Sequence, residues 1–215
     1  TYKGEFFNNF PGAKFIPIKS DELLQNDNQP IYNIPVEKPF KIKLDGNSLT
    51  KTELTDVVMI GPGYDVGIED IQLEPNDKDT INFASNGQSL TYTSSSSEAP
   101  NIIFGIVTPS YDYEFELNSI EIDPYGTISA ELDTDKGQLK IHIDKTEDDA
   151  IFDLIINRIG DSSEEEFTGE DIELAAGDDL YIDYGEWEGN GTQLELELYD
   201  DANDSTETLL IEDIE

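Results

Sequence analysis

Short runs in which apolar and polar residues alternate follow one another along most of the chain. In residues 40–44, Phe40, Ile42 and Leu44 fall on one face and two lysines fall on the other. This period of two is typical of a β-strand with one buried face. Similar runs recur at roughly the 8–12-residue spacing of antiparallel sandwiches and barrels. No segment shows a sustained helical period, so we expect an all-β fold.

Two local signals refine this pattern. Asn86-Gly87 lies between predicted strands at residues 80–83 and 89–93, and this dipeptide is a strong hairpin signal. The alternation also slips by one residue between Ile68 and Ile71, as happens when one strand contains an extra residue. We therefore predict a β-hairpin at the first place and a β-bulge at the second.

One pattern occurs twice and divides the chain. Residues 69–77 and 170–178 both read Glu-Asp-Ile-x-Leu-x-x-x-Asp, and the two copies begin 101 residues apart. A period near 100 suits a sandwich domain and exceeds the roughly 20–50 residues of solenoid repeats. We therefore predict two tandem antiparallel β-sandwich modules, at residues 31–117 and 118–215. Residues 1–30 do not fit the repeat and form an N-terminal arm.

The second copy resembles a segment of bacterial immunoglobulin-like modules, in which an apolar strand end is followed by a Pro/Gly-Asp turn and another alternating strand. The residues that carry the resemblance are Ile172, Leu174, Gly177, Asp178, Tyr181, Asp183 and Tyr184, matched more loosely by Ile71, Leu73, Pro75, Asp77, Ile81 and Phe83. The resemblance implies two immunoglobulin-like sandwiches and a secreted or cell-surface setting. It implies no catalytic residues.

The charge of the chain is strongly negative. The sequence has 49 acids and 12 bases, a net charge of −37, and most of the excess lies in residues 118–215. Such a surface repels nucleic acid and anionic lipid, and no run approaches the roughly 20 apolar residues of a membrane helix. We expect neither nucleic-acid binding nor membrane insertion. Divalent cations, basic partners, adaptation to high salt or solubility alone would each explain the acids.

Two acidic sets are candidate calcium ligands, because calcium binds hard oxygen donors. The first is the predicted loop with Asp200, Asp201, Asn203 and Asp204. The second contains Asp178, Asp179 and Asp183. The alternative is that these residues form ordinary turns, since Asp and Asn favour turns and bond nearby backbone amides. The sequence has no cysteine, which excludes disulfides, zinc–thiolate sites and thiol catalysis.

Aromatic residues crowd one region of the second module. Tyr181, Tyr184 and Trp187 would form a sugar-binding platform if their rings were exposed beside the neighbouring acids. The alternative is that these aromatic residues belong to strands and the sandwich core.

Catalysis has little support from the sequence. The only histidine, His142, alternates with Ile141 and Ile143 and is expected to be exposed, and no nucleophile elbow or phosphate loop occurs. Thr1 is not a natural start, so we expect a mature or trimmed product of a longer protein. We predict a non-catalytic secreted or surface module pair with a structural, adhesive or accessory role, whose partners are other domains of a larger bacterial chain, a glycan or a surface protein. The alternatives are a carbohydrate-binding module and a fragment of a secreted hydrolase with paired carboxylates.

Overall fold

The chain folds almost entirely into β-strands. The computed structural model describes residues 14–16, 31–34, 38–85, 88–144, 149–186 and 193–213, and these ranges contain no α-helix. The strands are β1 (Lys14–Ile16), β2 (Ile31–Asn33), β3 (Phe40–Asp45), β4 (Glu53–Gly61), β5 (Tyr64–Leu73), β6 (Lys78–Phe83), β7 (Ser89–Thr93), β8 (Asn101–Val107), β9 (Asp112–Asn118), β10 (Thr127–Asp133), β11 (Gln138–Asp144), β12 (Ala150–Ile159), β13 (Glu164–Leu174), β14 (Asp179–Asp183), β15 (Gln193–Asp200) and β16 (Ser205–Asp213). Short 3-10 turns lie at Gly46–Ser48 and Tyr184–Glu186. The predicted all-β class is confirmed.

Fourteen of these strands form two antiparallel sheets that face each other as a sandwich. The eight-stranded sheet has the order β3-β6-β7-β10-β11-β14-β15-β16, and the six-stranded sheet has the order β4-β5-β8-β9-β12-β13. The sheets meet at one end, where β16 pairs with β13 only through residues 167–168 and 212–213. Strands β1 and β2 pair separately. The predicted antiparallel sandwich architecture is confirmed.

Each sheet is built from hairpins that alternate along the chain. The chain forms a hairpin in the six-stranded sheet (β4–β5) and then one in the eight-stranded sheet (β6–β7). The next hairpins alternate between the same two sheets in the order β8–β9, β10–β11, β12–β13 and β14–β15. Three four-strand units result, β3–β6, β7–β10 and β11–β14, and their first strands begin at residues 40, 89 and 138. The repeating unit is therefore about 49 residues long.

A left-handed backbone position marks the same place in all three units. Asp70, Ser119 and Asp171 have φ angles of 58°, 56° and 52°. Each donates its backbone amide to a side-chain oxygen of a neighbouring strand, namely Asp56, Asn101 and Asp153 at 3.1, 2.8 and 2.9 Å. The register of β4 against β5 shifts beside Asp70, which confirms the predicted bulge. The Glu-Asp-Ile pattern is thus the sequence of a β-bulge.

These units revise the predicted division of the chain. The 101-residue spacing spans two units, and the middle copy escaped notice because Ser119 replaces the Asp of the pattern. Strand β7 pairs with β10, and β9 pairs with β12, so hydrogen bonds of both sheets cross the proposed boundary between residues 117 and 118. The two predicted modules therefore share both sheets and do not form separate sandwiches. The strand order also differs from the ABED and CFG sheets of an immunoglobulin domain.

The inner faces of the two sheets form one apolar core. Alternate residues of every central strand point inward, and the largest fully buried side chains include Tyr92, Phe115, Phe152 and Phe167. Burying one such side chain stabilises a fold by about 1.5–3 kcal/mol, which explains why the strict alternation in the sequence predicts the strands well. The described part of the chain contains no helix long and apolar enough to cross a membrane.

We expect the two ends of the sandwich to unfold together when its middle is weakened. Phe115 is fully buried in β9, and replacing such a residue by alanine costs about 3–5 kcal/mol. Phe115→Ala should therefore lower the Tm and remove hydrogen-exchange protection from β6 and β14 in one transition. Val107→Ala, on an exposed side chain of β8, should change the free energy of unfolding by less than about 0.5 kcal/mol. Separate transitions for β6 and β14 would contradict the shared core.

Candidate functional site

Two of the predicted site residues, Asp179 and Tyr181, meet on the outer face of the eight-stranded sheet. Asp179 in β14 lies at the centre of this group and is 8% exposed. Its carboxylate contacts Lys140 Nζ and His142 Nδ1 of the neighbouring strand β11, both at 2.8 Å, and accepts a hydrogen bond from the Tyr181 hydroxyl at 3.3 Å. Cross-strand register explains the arrangement, because Asp179 lies directly opposite His142. We call these four residues the outer cluster.

The outer cluster is a compact ion pair supported by an aromatic ring. Burial alone would lower the pKa of Lys140, but the hydrogen bond and charge of Asp179 outweigh it and raise that pKa above its ordinary value. The Lys140 ammonium also lies 5.5 Å from the centre of the Tyr181 ring, within range of a cation–π contact. The oxygens of Asp179 are therefore already engaged by donors of this chain.

A serine, a histidine and an aspartate stand in a row across three strands. Ser129 in β10 lies opposite His142, and His142 lies opposite Asp179. A nucleophilic serine would need its hydroxyl bonded to the imidazole. The Ser129 hydroxyl instead pairs with the Thr91 hydroxyl at 2.9 Å. The row does not have the geometry of an activated nucleophile.

The acidic loop between β15 and β16 is organised by its own hydrogen bonds. Asn203 donates its backbone amide to one oxygen of Asp200 at 2.9 Å and its side-chain amide to the other at 2.6 Å. These bonds hold the pKa of Asp200 below its ordinary value. Asp204 has a left-handed backbone, with φ of 50°, and accepts a hydrogen bond from the Tyr199 hydroxyl at 2.8 Å. This geometry matches the alternative of an ordinary Asp/Asn turn.

The fold brings this loop against part of the second acidic set. The backbone amide of Asp201 donates to Asp178 Oδ1 at 3.3 Å. Burial, followed by the charges of Asp200, Asp149 and Asp179, raises the pKa of Asp178 above its ordinary value. Among the described residues, however, no three His, Cys, Asp or Glu side chains are grouped closely enough to hold a metal ion. Calcium binding at this loop stays a prediction.

Asp183 is separated from the other predicted calcium ligands. It lies at the opposite end of β14 and accepts a hydrogen bond from Gln138 Nε2 at 2.7 Å. Its partner in the adjacent strand is likewise Gln138, so the contact fixes the register of β11 against β14. The structure gives Asp183 a position in the sheet away from the β15–β16 loop.

The predicted aromatic platform is corrected at Tyr184. This residue is 4% exposed, and its ring centre lies 5.1 Å from that of Tyr113 and 5.7 Å from that of Phe115. Burial raises the pKa of its hydroxyl to about 12. Tyr184 therefore belongs to the core, whereas Tyr181 lies on the opposite, outer face. Trp187 lies outside the described residues.

A buried acidic cluster inside the sandwich was missed in the sequence. Asp79 in β6 is fully buried, and its Oδ1 accepts hydrogen bonds from the backbone amide and the hydroxyl of Ser95, at 2.8 and 2.7 Å. Its Oδ2 is buried without a hydrogen-bond partner. Glu98 accepts hydrogen bonds from the Tyr92 hydroxyl and from the backbone amide of Gln72. Burial raises the pKa of both acids, and the charge of Asp79 further raises that of Glu98.

The interior also contains the only arginine of the sequence. Arg158 ends the inward-facing row of β12, forms an ion pair with Glu165 of β13, and lies 4.7 Å from the centre of the Tyr111 ring. Two of these interior charged residues, Asp79 and Arg158, had a signal in the sequence. Asp79 is in phase with Ile81 and Phe83, and Arg158 is in phase with Ile156, so strict alternation places each of them inside.

Comparison with protein families, with curated proteins and with solved structures finds no match for this chain. The similarity of residues 172–184 to bacterial immunoglobulin-like modules therefore remains an interpretation of the sequence. The site must be interpreted from its own geometry.

Calcium binding at the β15–β16 loop can be tested by thermal melts at fixed ionic strength. Because the negative charges of Asp178 and Asp200 repel each other, a cation held between them should raise the Tm. If the site is a calcium site, calcium should raise the Tm more than equimolar magnesium does. A ligand at a hundred times its dissociation constant adds about 2.7 kcal/mol. Asp178→Asn combined with Asp201→Asn should abolish the difference. Equal melts in calcium and magnesium would leave these acids as a solvated turn.

Mild acid should stabilise the fold through the interior acids. Their folded pKa values lie above the ordinary values of about 4, so the folded state binds protons that the unfolded state has released. This stabilisation is fully present below the ordinary pKa values and is lost as the pH rises through the folded ones. We therefore expect the Tm to rise as the pH is lowered from 8 towards 5.

A matched pair of variants separates this effect from the general negative charge. Asp79→Asn imitates the protonated acid and should flatten the dependence of Tm on pH. Asp112→Asn removes the same charge from an exposed position of β9 and should leave the dependence as steep as in the wild type. Parallel profiles for Asp79→Asn and the wild type would show that Asp79 does not take up the proton.

Proposed function

We propose that this chain is a non-catalytic structural element of a larger secreted or cell-surface protein. The observation that carries the proposal is the pairing of strands across the middle of the chain, β7 with β10 and β9 with β12. Strands β7 and β9 lie before the junction, which is the predicted boundary between residues 117 and 118. Both pair along their full lengths with the strands β10 and β12 that follow it. Two sheets and one core thus connect the units, as a stiff spacer requires.

The contacts of several acidic side chains support a structural role. Asp56 and Asp153 hold the backbone amides of the bulges, and Asp77 accepts the backbone amide of Glu74 at 3.0 Å. Asp179 is engaged by Lys140 and His142. These groups serve the backbone and the register of the sheets, and an activated nucleophile is lacking at Ser129. The hydrolase alternative gains no specific support.

A secreted or surface setting is part of the same proposal. Its support is the net charge of −37, which keeps an extended β structure soluble, and the similarity of residues 172–184 to bacterial surface modules. Adhesive or accessory roles at such a surface would use contacts with other domains or with surface proteins. The glycan-binding alternative loses support, because the buried Tyr184 cannot contribute to an exposed platform.

Stretching single molecules from both ends would test the structural role. One cooperative release should free the chain of residues 40–213, which corresponds to roughly 600 Å of contour length at about 3.5 Å per residue. The reason is that the junction strands share both sheets, so neither half can unfold without exposing the core of the other. Two releases of about half this length in the wild type would contradict a stiff, continuous element.

Two neighbouring variants give this experiment its control. Ala130 is buried in β10 between Leu90 and Ile141, so Ala130→Asp places an unpaired charge at the junction and should lower the rupture force. Glu131→Gln changes the next residue, which is exposed on the outer face, and should leave the force unchanged. Equal forces for the two variants would show that the junction does not limit unfolding.

A further inference from the structure

One end of the sandwich presents two open strand edges. Strand β4 ends the six-stranded sheet and β3 ends the eight-stranded sheet, and no described strand pairs with their outer edges. An open edge offers a row of backbone donors and acceptors to an added strand. Natural proteins usually protect such edges, so a nine-residue open edge like β4 calls for an occupant.

The β4 edge also carries exposed apolar side chains. Leu54, Val58 and Ile60 point outward from β4 and are 66%, 55% and 83% exposed. Val107 of β8, two strands away, is exposed on the same face. Apolar residues grouped at a sheet edge favour association with another β-structure over a solvated edge.

Charge differs sharply between the two ends of the sandwich. Residues 38–61, which contain β3 and β4, have four lysines and three acids, and Lys41 and Lys43 are exposed on β3. Residues 193–213, which contain β15 and β16, have eight acids and no base. In a chain with a net charge of −37, the lysine-bearing end is the surface on which the acidic end of another copy meets least repulsion.

The acidic end has open edges of its own. Strand β16 pairs with β15 along nearly its whole length, but its pairing with β13 is confined to residues 212–213. Among the described residues, the outer edge of β16 at 205–211 and that of β13 at 169–174 have no strand partner. Apart from this two-residue pairing, which joins the sheets, each sheet therefore also offers an unpaired edge at the acidic end.

The number of strands makes the two ends compatible. All neighbouring strands are antiparallel, and the sheets contain eight and six strands. With an even number, the first and last strands of a sheet run in opposite directions. When a second copy is placed by translation, its β3 therefore lies antiparallel to β16 of the first copy. Its β4 likewise lies antiparallel to β13 of the first copy. The alternation continues without a parallel pair.

Stacking of this kind already occurs twice within the chain. The unit β3–β6 joins the next unit through β6–β7 and β5–β8, and that unit joins the third through β10–β11 and β9–β12. In each case the last strand of one unit accepts the first strand of the next. Strand β4 corresponds by position to β8 and β12, the strands that fill this role inside the molecule.

We propose that copies of this chain associate head to tail, with the β3/β4 edge of one copy pairing with the β16/β13 edge of the next. The contact is heterologous, so it leaves an open edge at each end and builds linear assemblies. The assembly goes beyond the proposed structural role of the single chain. That role is tested by unfolding one molecule and does not depend on self-association.

Sedimentation over a range of protein concentrations tests the assembly. The wild-type mass should rise with concentration and pass the dimer. The double variant Val58→Glu with Ile60→Glu places negative charges on the edge that should meet the acidic end, and it should require at least roughly tenfold more protein to reach the same mass. The control, Ile151→Glu with Ile159→Glu, makes the same changes on the outer face of β12, a strand that is paired on both sides, and should assemble like the wild type.

Mixing the edge variant with wild type distinguishes a chain from a closed dimer. The Val58→Glu/Ile60→Glu protein keeps its acidic end, so it can accept a wild-type β4 edge but cannot donate its own. A small fraction of it should therefore shorten wild-type assemblies. In a two-fold dimer through β4, the variant could not join and the wild-type mass would not change. Circular dichroism melts of each variant establish that it is folded.

Three results would overturn the proposal. A wild-type mass that stays monomeric at every concentration would mean that the edge is covered within the chain or by another molecule. A mass that stops at the dimer would indicate a two-fold contact through β4. Equal loss of assembly in the β12 control would show that the association is a general property of the apolar surface.

Discussion

Pairing between hairpins that are not neighbours in the chain is the constraint on which this structure depends. Strand β5 pairs with β8 and β9 pairs with β12, so every hairpin of the six-stranded sheet is held by one that lies a full unit away in sequence. The hairpin between them is in the other sheet. No unit can therefore complete either sheet by itself, and the core forms only when units stack. The bulges at Asp70, Ser119 and Asp171 recur because each unit must direct its chain from one sheet to the other in the same way.

Charge is distributed so that stacking remains favourable despite the net charge of −37. Most acids alternate outward, where water screens their mutual repulsion. The few interior charged residues differ in the kind of partner that they have. Arg158 has Glu165 as its ion-pair partner, whereas in the described part of the chain Asp79 and Glu98 are bonded by hydroxyl and amide donors and not by a cation. The interior acids are thus an electrostatic cost that the surrounding apolar strands must offset.

The sequence predicts the strands well and their partners poorly. Alternation at Phe40, Ile42 and Leu44 is a local property, and it identified a strand and its buried face correctly. The bulge near Asp70 was also local. Pairing of β7 with β10 depends on contacts far apart in sequence, which alternation does not encode. The period was overestimated because Ser119 interrupts the Glu-Asp-Ile pattern in the middle unit.

The candidate site shows the same limit. The sequence left Tyr184 open between an exposed platform and the core because aromatic residues suit both, and only the fold shows that it packs against Phe115. The acids at 178 and 201 were found separately, and the turn that brings them together has no signature at either position. Asp79 and Arg158 were in phase with apolar neighbours, but their polarity argued for the surface.

The 49-residue unit also gives the molecule a simple relation between sequence length and physical length. Each unit adds two strands to each sheet, and neighbouring strands lie about 4.8 Å apart. One duplication of the unit would therefore lengthen the sandwich by roughly 10 Å. The duplicated segment would enter and leave through strands that already match their neighbours, so no existing contact would need to be rebuilt. The length of such a sandwich would therefore change in steps of one unit.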